Sequence, residues 1–392
     1  MPTPYDPSWG RDTALMHLAE EARPEGAVVP PIFQNSLFTF PSVDAYWSAS
    51  QTSPEGPPYH YSRIGNPTLD TTERKLAHLE GAERAKLIGG GMGAISTAIL
   101  GSVAQGAHVV LVDTCYPPTR VFVQEYLARF GVTCTLVDGL TPDSIIDAIR
   151  PETTLVYLES PSSFIFRLQD IPAVTRVTRE KGITTIIDNT CATSLYQNPI
   201  AMGVDVVVHS ASKYFGGHSD LNGGVIACSQ ERMHRLVMNE VNLLGNIMAP
   251  FPAWLVMRGI RTLSLRVKQH GQNANAVAEW LEGHTGVERV FHVGLPSFPQ
   301  HDLYLRQMRG TGGLLSFEPV FQTEAQVKQF VDALRIFQIG VSWGGFESLV
   351  VPLYLQPSGW SEGRWLVRIF CGLEDVGDLI ADLQQAFDRV ER

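Results

Sequence analysis

The stretch that decides the fold is Val206-Val207-Val208-His209-Ser210-Ala211-Ser212-Lys213-Tyr214-Phe215-Gly216-Gly217-His218-Ser219-Asp220. Its β-branched start is typical of a buried strand, because parallel strands covered on both faces are almost continuously apolar. Ligands of open α/β sheets bind outside the carboxyl ends of the strands, which is where Lys213 stands. Lysine forms Schiff bases with carbonyl compounds when its amine is desolvated. Lys213 is therefore a candidate for covalent chemistry, and a solvated loop lysine is the alternative.

Candidate strands and helices alternate on the amino-terminal side of this stretch. A helix near 71–79 ends at Gly81, and Gly89-Gly90-Gly91 precedes a helix-like run. Strands are then predicted at 108–113, 133–137, 154–159, 184–188 and 204–210, and helices at 119–130, 142–149 and 171–181. This alternation predicts an α/β fold in which a mainly parallel sheet lies between helices.

The 392 residues exceed what one hydrophobic core supports, so more than one domain is expected. Residues 1–63 are rich in proline, including Pro-Pro at 30–31 and 57–58, and are interpreted as an arm that contacts a partner subunit. Residues 64–254 form the α/β domain with Lys213, and 255–392 a smaller α+β domain with strands near 312–318, 348–351 and 366–370. The boundary lies along a helix predicted at 252–281, which contains Gly259 and Gly271 and is bent or broken there.

Composition excludes several classes of protein. A net charge of −10 argues against nucleic acid as a partner. The five cysteines, Cys115, Cys134, Cys191, Cys228 and Cys371, are scattered without a Cys-x-x-Cys pair, which favours reduced thiols over a disulfide framework or a metal site. We find no signal peptide and no apolar run long enough to span a membrane, so a cytoplasmic location is expected.

An aldehyde cofactor such as pyridoxal phosphate, bound to Lys213, needs a carboxylate for its ring nitrogen, a cradle for its phosphate and an aromatic partner for its ring. Asp188 ends a predicted strand and is the candidate carboxylate, with a helix N-cap as the alternative. Tyr116 is the candidate aromatic, or an ordinary core residue. The candidates for binding the phosphate are the glycines at 89–91, Ser210, Ser212 and the pair Tyr61 and Arg63. Arg368 lies inside an apolar strand and is the candidate for binding a substrate carboxylate, with an ion pair to a structural acid as the alternative.

Seven segments of the chain, taken in order, carry a resemblance to one enzyme family. They are Tyr61-Ser62-Arg63-Ile64-Gly65-Asn66-Pro67-Thr68, Gly90-Gly91-Met92-Gly93-Ala94-Ile95, Asp113-Thr114-Cys115-Tyr116, Asp188-Asn189-Thr190, Ser210-Ala211-Ser212-Lys213-Tyr214, Gly217-His218-Ser219-Asp220 and Arg368-Ile369-Phe370-Cys371-Gly372-Leu373-Glu374-Asp375. Through these segments nearly the whole chain resembles the Cys/Met metabolism family of pyridoxal-phosphate enzymes of fold type I, which includes cystathionine lyases and synthases.

The resemblance implies a role for each candidate. Lys213 holds pyridoxal 5'-phosphate and moves protons, with Tyr116 as a second catalytic residue. Asp188 pairs with the pyridine nitrogen, Tyr116 stacks on the ring, and the phosphate is held by Gly91, Met92, Ser210 and Ser212. Tyr61 and Arg63 come from the neighbouring subunit, which implies a homo-oligomer of at least two chains, expected to be a tetramer. Arg368 and Ser342 receive the α-carboxylate of a sulfur amino acid.

The stretch Ser342-Trp343-Gly344-Gly345-Phe346-Glu347-Ser348-Leu349 and the stretch Glu159-Ser160-Pro161-Ser162-Ser163 are similar to bacterial cystathionine β-lyases. Trp343 narrows the predicted site and favours β-elimination to thiol, pyruvate and ammonia. Enterobacterial β-lyases carry an arginine where Ile64 stands and an acid where Val121 stands, so a less polar S-substituted cysteine is an alternative to cystathionine as substrate. Two other functions remain open: γ-elimination or γ-replacement, and a homologue that binds the cofactor without catalysis.

Overall fold

The computed structural model describes residue 6 and residues 8–20, 24–50 and 58–390. Within them, one sheet contains the seven strands β1 (Arg84–Ile88), β2 (His108–Val112), β3 (Thr133–Val137), β4 (Thr153–Glu159), β5 (Thr184–Asp188), β6 (Val206–Ser210) and β7 (Gly224–Cys228). Their spatial order is β1-β7-β6-β5-β4-β2-β3. The five neighbouring strands β6, β5, β4, β2 and β3 are parallel to one another. The prediction of an α/β fold with a mainly parallel sheet is confirmed.

The sequence analysis predicted neither β1 nor β7 as a strand. Strand β7 departs from the rest of the sheet. It pairs antiparallel with both β6 and β1, in a sheet that is otherwise parallel. No helix separates it from β6, so the alternation of strands and helices that predicted β2 to β6 does not include it. All five of its residues are buried, as expected for a strand inside the sheet.

Local chemistry sets the helix ends. The helix Pro67–Glu80 begins at Asn66, whose side chain accepts a hydrogen bond from the N–H of Thr68, and Pro67 occupies its first turn. It ends at Gly81, which has a positive φ of 66°. The prediction of 71–79 was therefore right about the end and started too late.

The remaining helices lie in the predicted arm, between the strands of the first sheet, or in the carboxyl-terminal part. In the described residues they are Arg11–His17, Val43–Ser50, Gly91–Leu100, Pro117–Val121 (continued by a π turn and a 3-10 turn to Phe130), Pro142–Ile146, Ile171–Glu180, Thr193–Tyr196, Gln230–Leu236 (continued to Leu244), Pro250–Ile260, Leu263–Glu282, His301–Gln307, Glu324–Ala333 and Val376–Phe387. The helix predicted at 142–149 is three residues too long.

The predicted helix at 252–281 is two helices, which meet at residues 261–262. Neither glycine causes the break. A Cβ on Gly259 would lie 2.1 Å from the carbonyl oxygen of Phe215, and one on Gly271 would lie 2.2 Å from that of Thr311. Both glycines instead let a helix pack directly on backbone.

A second sheet follows these helices. Its described strands are β8 (Val287–Phe291), β9 (Leu314–Pro319), β10 (Gln338–Ile339), β11 (Leu349–Leu355) and β12 (Arg364–Phe370), in the order β10-β11-β12-β9-β8. Strands β8 and β10 were missed in the sequence analysis. The sheet packs on a hydrophobic cluster of its own, separate from that of the first sheet. The division into domains at residue 255 stays a prediction, and that residue lies inside the helix Pro250–Ile260.

The predicted arm is only partly described, since residues 1–5, 7, 21–23 and 51–57 lie outside the described residues, Pro57 of the second Pro-Pro pair among them. Its first part is attached to its own chain. Buried Glu20 lies 3.0 Å from the Lys75 amine and 2.6 Å from the Arg261 guanidinium. Within the described part of the chain, no helix combines the length and the hydropathy that crossing a membrane requires.

Candidate active site

A cavity of about 820 Å³ lies at the carboxyl ends of β4, β5 and β6, and the second sheet closes its other side. Parallel strands that end at one edge bring their terminal side chains together, which is why ligands bind there. Ten of the twelve residues proposed from the sequence line this cavity. They are Gly91, Met92, Tyr116, Asp188, Ser210, Ser212, Lys213, Ser342, Trp343 and Arg368.

Lys213 lies in the turn after β6, and its amine donates a 2.6 Å hydrogen bond to the hydroxyl of Ser342. Burial and, to a smaller extent, the positive charge of Arg368 lower the pKa of Lys213 from 10.5 to about 8, against the opposing effect of Asp188. A substantial fraction of the amine is therefore neutral near pH 8, which is the form that attacks a carbonyl or takes up a proton. Lys213 is therefore not the solvated loop lysine that was the alternative interpretation of the sequence.

Asp188 ends β5 and is buried beside the cavity. Its Oδ1 atom accepts hydrogen bonds from the N–H and the hydroxyl of Thr190, and Oδ2 has no donor among the described residues. Burial raises the pKa of Asp188, and the bonds from Thr190 and the charge of Lys213 oppose this rise. A cationic ring nitrogen placed at the cavity would stabilise the ionised carboxylate.

Glu159 is a site residue to which the sequence analysis assigned no role. It ends β4 directly beside Asp188 in the parallel register, and it accepts hydrogen bonds from the N–H of Tyr116 at 2.7 Å and from the hydroxyl of Ser163 at 2.6 Å. Burial and the negative charge of Asp188 raise its pKa. The sequence does hold a signal for it, since two predicted neighbouring strands both end in an acid.

One end of the cavity suits an anion. Gly91 begins the ten-residue helix Gly91–Leu100, whose first N–H groups have no partner within the helix. A Cβ on Gly91 would lie 2.8 Å from the Ser210 hydroxyl oxygen, so only glycine brings the helix start against Ser210. The Ser212 hydroxyl accepts the N–H of Gly223 at 3.0 Å, which holds it beside Lys213.

Arg368 lies in β12 and is almost fully buried. Its guanidinium donates to the carbonyl oxygens of Val341 and Ser342 at 3.0 and 3.2 Å, and its buried Nε has no partner. Among the described residues no acid lies within ion-pair distance of it, so the structural-acid alternative has no support here. A buried guanidinium without a counter-ion is suited to a substrate carboxylate.

Trp343 lines the cavity with its ring centroid 5.5 Å from the Lys213 amine. Its ring meets that of buried Tyr214 edge to face at 5.3 Å, which fixes its orientation. The next residue, Gly344, has a φ of 90°, and a Cβ there would lie 2.9 Å from the Lys213 carbonyl carbon and the Tyr214 nitrogen. Gly344 was not singled out from the sequence, because its contact partner is 131 residues away.

Tyr61 and Arg63 do not line the cavity of their own chain. The Arg63 guanidinium lies 4.9 Å from the centroid of the Tyr61 ring and donates from Nε to the side chain of Asn242 at 2.9 Å. Both residues belong to an exposed face of the molecule. Ile64 and Val121, the two apolar departures, do not line the cavity either.

The donor set fits pyridoxal phosphate. The helix start with Ser210 is a cradle for a phosphate, Asp188 has, for a cationic ring nitrogen, an oxygen without a donor among the described residues, and Lys213 is a lysine of lowered pKa in the same cavity. The described residues contain no group of three or more His, Cys, Asp or Glu placed to hold a metal ion.

Comparisons with known proteins agree with this site. The sequence profile of the Cys/Met metabolism PLP-dependent enzymes matches residues 12–388. The chain is 37% identical over 387 residues to a protein named putative cystathionine beta-lyase from Rhizobium johnstonii, covering 96% of both chains. It is 38% identical to L-methionine gamma-lyase from Pseudomonas putida, covering 92% of both chains.

A solved structure is similar over the full length. The crystal structure of metB from Corynebacterium glutamicum matches with a TM-score of 0.90 and 30% sequence identity, and the match covers 99% of this chain and 100% of that one. The first sheet, the second sheet and the cavity between them therefore have a counterpart in a protein of known structure.

Proposed function

Because this chain belongs to the Cys/Met metabolism family of PLP-dependent enzymes, we propose that it is a carbon–sulfur β-lyase. It takes cystathionine or another S-substituted L-cysteine and, with one water, releases a thiol, pyruvate and ammonia. The bond that breaks joins Cβ to sulfur, the thiolate leaves with the electron pair, and the proton comes from Cα.

The observation that carries the proposal is the position of Trp343. Its indole faces the Lys213 amine at 5.5 Å and is held by Tyr214, so it occupies space beside the atoms that react. An elimination at Cγ needs room for proton transfer at Cβ and for a leaving group one carbon further out. An indole at this place therefore supports β-elimination, in which the leaving group is on Cβ.

The cofactor, when bound, supplies an electron sink for the carbanion at Cα. The chain supplies the rest. Lys213 would hold the cofactor and move the Cα proton, since a substantial fraction of its amine is neutral near pH 8. Asp188 would keep the ring nitrogen protonated, and Tyr116, positioned through its N–H by Glu159, would supply the aromatic partner of the ring. Arg368 and Ser342 orient the α-carboxylate.

Arg63 and Tyr61 complete the site of a neighbouring subunit. They form a unit outside their own cavity, and exposed apolar side chains surround it. Leu37, which bridges to Tyr61, is 55% exposed, and Leu243 and Leu244, next to Asn242, are 74% and 64% exposed. Exposed apolar groups of this size mark an interaction surface, which supports a homo-oligomer of at least two chains.

None of the five cysteines forms a disulfide, and three of them are buried. Thiols without a disulfide among them support a reducing compartment, and we place the enzyme in the cytoplasm on this basis.

The second candidate is γ-elimination. The relatives named cystathionine beta-lyase and L-methionine gamma-lyase are 37% and 38% identical to this chain, so similarity does not separate the two reactions. The test is to incubate the purified holoenzyme with cystathionine, S-methylcysteine and methionine, and to identify the keto acid. Pyruvate from the first two supports the proposal. 2-Oxobutyrate as the main product from cystathionine or methionine overturns it.

A further inference from the structure

The wall of the cavity beside Arg368 is apolar. In the antiparallel pairing of β11 with β12, Val351 lies directly opposite Arg368, and Leu353 lies opposite Leu366. Residues opposite each other in such a pair, and residues two apart in a strand, share one face of the sheet. Val351 and Leu353 both line the cavity, so a surface of aliphatic side chains starts at Arg368 and continues along β11.

Further apolar side chains line the cavity. Val341, from the loop before β11, lines the cavity and is 84% exposed. The aromatic ring of Phe164 and the side chain of Leu221 contribute from the first sheet's side. A substrate whose carboxylate is bound at Arg368 therefore has a hydrocarbon surface beside it along β11.

Cations in the cavity are few. Among the described residues that line it, the positively charged ones are Lys213 and Arg368. Lys213 is committed to the cofactor and Arg368 to the α-carboxylate. Arg63, which the proposed dimer brings in, is committed to the phosphate. Among the described residues that line the cavity, a second carboxylate on the substrate would meet no further cation.

Acids are present instead. Asp220 and Glu347 line the cavity, and Glu347 accepts a hydrogen bond from the Ser219 hydroxyl at Oε1 while its buried Oε2 has no partner. A distal carboxylate would approach these negative charges in a partly desolvated site, which is unfavourable. A distal ammonium alone would not meet this repulsion.

We propose that the site selects L-cysteines whose sulfur carries an uncharged alkyl or aryl group, and that it discriminates against a second amino-acid end such as that of cystathionine. This inference rests on the proposed β-elimination. The uncharged group lies along Val351, Leu353 and Val341, where its hydrocarbon surface is removed from water.

The test compares four substrates that differ only at the distal end. S-Propyl-L-cysteine is cystathionine without its distal amino and carboxylate groups, S-(3-aminopropyl)-L-cysteine keeps the ammonium, and S-(3-carboxypropyl)-L-cysteine keeps the carboxylate. For the wild-type holoenzyme we expect kcat/KM for S-propylcysteine to exceed that for cystathionine and for the carboxypropyl compound by about 10-fold or more. The aminopropyl compound should lie between them.

A pair of variants tests whether the cavity face of β11 is responsible for the substrate selectivity. Leu353→Arg places a cation on the cavity face and should raise kcat/KM for the carboxypropyl compound relative to S-propylcysteine by about 10-fold. The matched control is Tyr354→Arg, because Tyr354 is the next residue, is 60% exposed and does not line the cavity. It should leave the ratio unchanged.

The outcomes separate the two proposals. Pyruvate from all four substrates with cystathionine preferred over S-propylcysteine overturns the selectivity while β-elimination stands. 2-Oxobutyrate from cystathionine without pyruvate from any of them overturns both. The comparison on the wild-type enzyme decides the inference even where Leu353→Arg does not fold.

Discussion

The Lys213 amine donates a 2.6 Å hydrogen bond to the hydroxyl of Ser342, although the two residues lie in loops next to different sheets. Lys213 follows β6 of the first sheet, and Ser342 precedes β11 of the second. The contact holds the amine at the cavity and places it in the field of Arg368, whose backbone-directed bonds include the Ser342 carbonyl. The reactivity of Lys213 is thus set by residues more than 120 positions away in the chain.

Replacing Lys213 tests the identity of the cofactor-binding lysine. Lys213→Ala should lose the visible absorbance of the bound cofactor and all measurable turnover, because no other lysine lines the cavity within the described residues. Lys181→Ala, at an exposed lysine, is the control and should keep both. Retention of the absorbance in Lys213→Ala would contradict the assignment.

The lowered pKa of Lys213 predicts how cofactor loading depends on pH. Only the neutral amine reacts, so the rate of reconstitution of cofactor-free protein should rise with pH through a midpoint of about 8. An amine of pKa 10.5 would be neutral about 300-fold less often at pH 7. Arg368→Gln removes a positive charge that lowers this pKa, so its midpoint should move up. A midpoint near 10 in the wild type would contradict the prediction.

Trp343 is expected to control the position of elimination. Trp343→Leu enlarges the cavity beside Lys213, so 2-oxobutyrate should become a detectable product from cystathionine. A loss of about 1–3 kcal/mol in the discrimination against γ-elimination would bring it to about a tenth or more of the total keto acid. Trp360→Leu is the matched control, because Trp360 does not line the cavity. An unchanged product ratio in Trp343→Leu would remove the basis for the β-lyase proposal.

Gly344 should be intolerant of a side chain for two separable reasons. Its φ of 90° is strained for any other residue, and a Cβ would press on the backbone of Lys213 and Tyr214 at 2.9 Å. Gly359 has nearly the same φ, 88°, and open space around it. Both alanine variants should lose about 1–2 kcal/mol from backbone strain. Only Gly344→Ala should also lose activity, measured as kcat beside chemical denaturation curves.

Mixing two inactive variants tests the shared site. In a dimer of Arg63→Ala with Lys213→Ala, one of the two sites receives Lys213 from one chain and Arg63 from the other. Random mixing makes half of the dimers mixed, so about a quarter of the wild-type activity should return after the subunits exchange. Arg63→Ala mixed with itself is the control. No recovery, with exchange verified, would mean that Arg63 does not cross between subunits.

The parts of the site that come from one local pattern could be predicted from the sequence. Asp188 and Lys213 each follow an apolar run, and parallel strands of such runs end at a common edge. Arg368 stands out as a charge within an apolar strand. Glu159 carried the same strand-end signal as Asp188, and its role was missed because the neighbour relation of β4 and β5 was not used.

The sequence by itself determined the α/β class, the strand-end residues and the lysine, because hydrophobic periodicity and strand-terminal polar residues are local features. Only the tertiary structure decided which of them meet. The antiparallel return of β7, the contact of Gly344 with Lys213 and the register that sets Val351 opposite Arg368 depend on the pairing of distant segments. Pairing is selected by packing between elements, and no single segment encodes that.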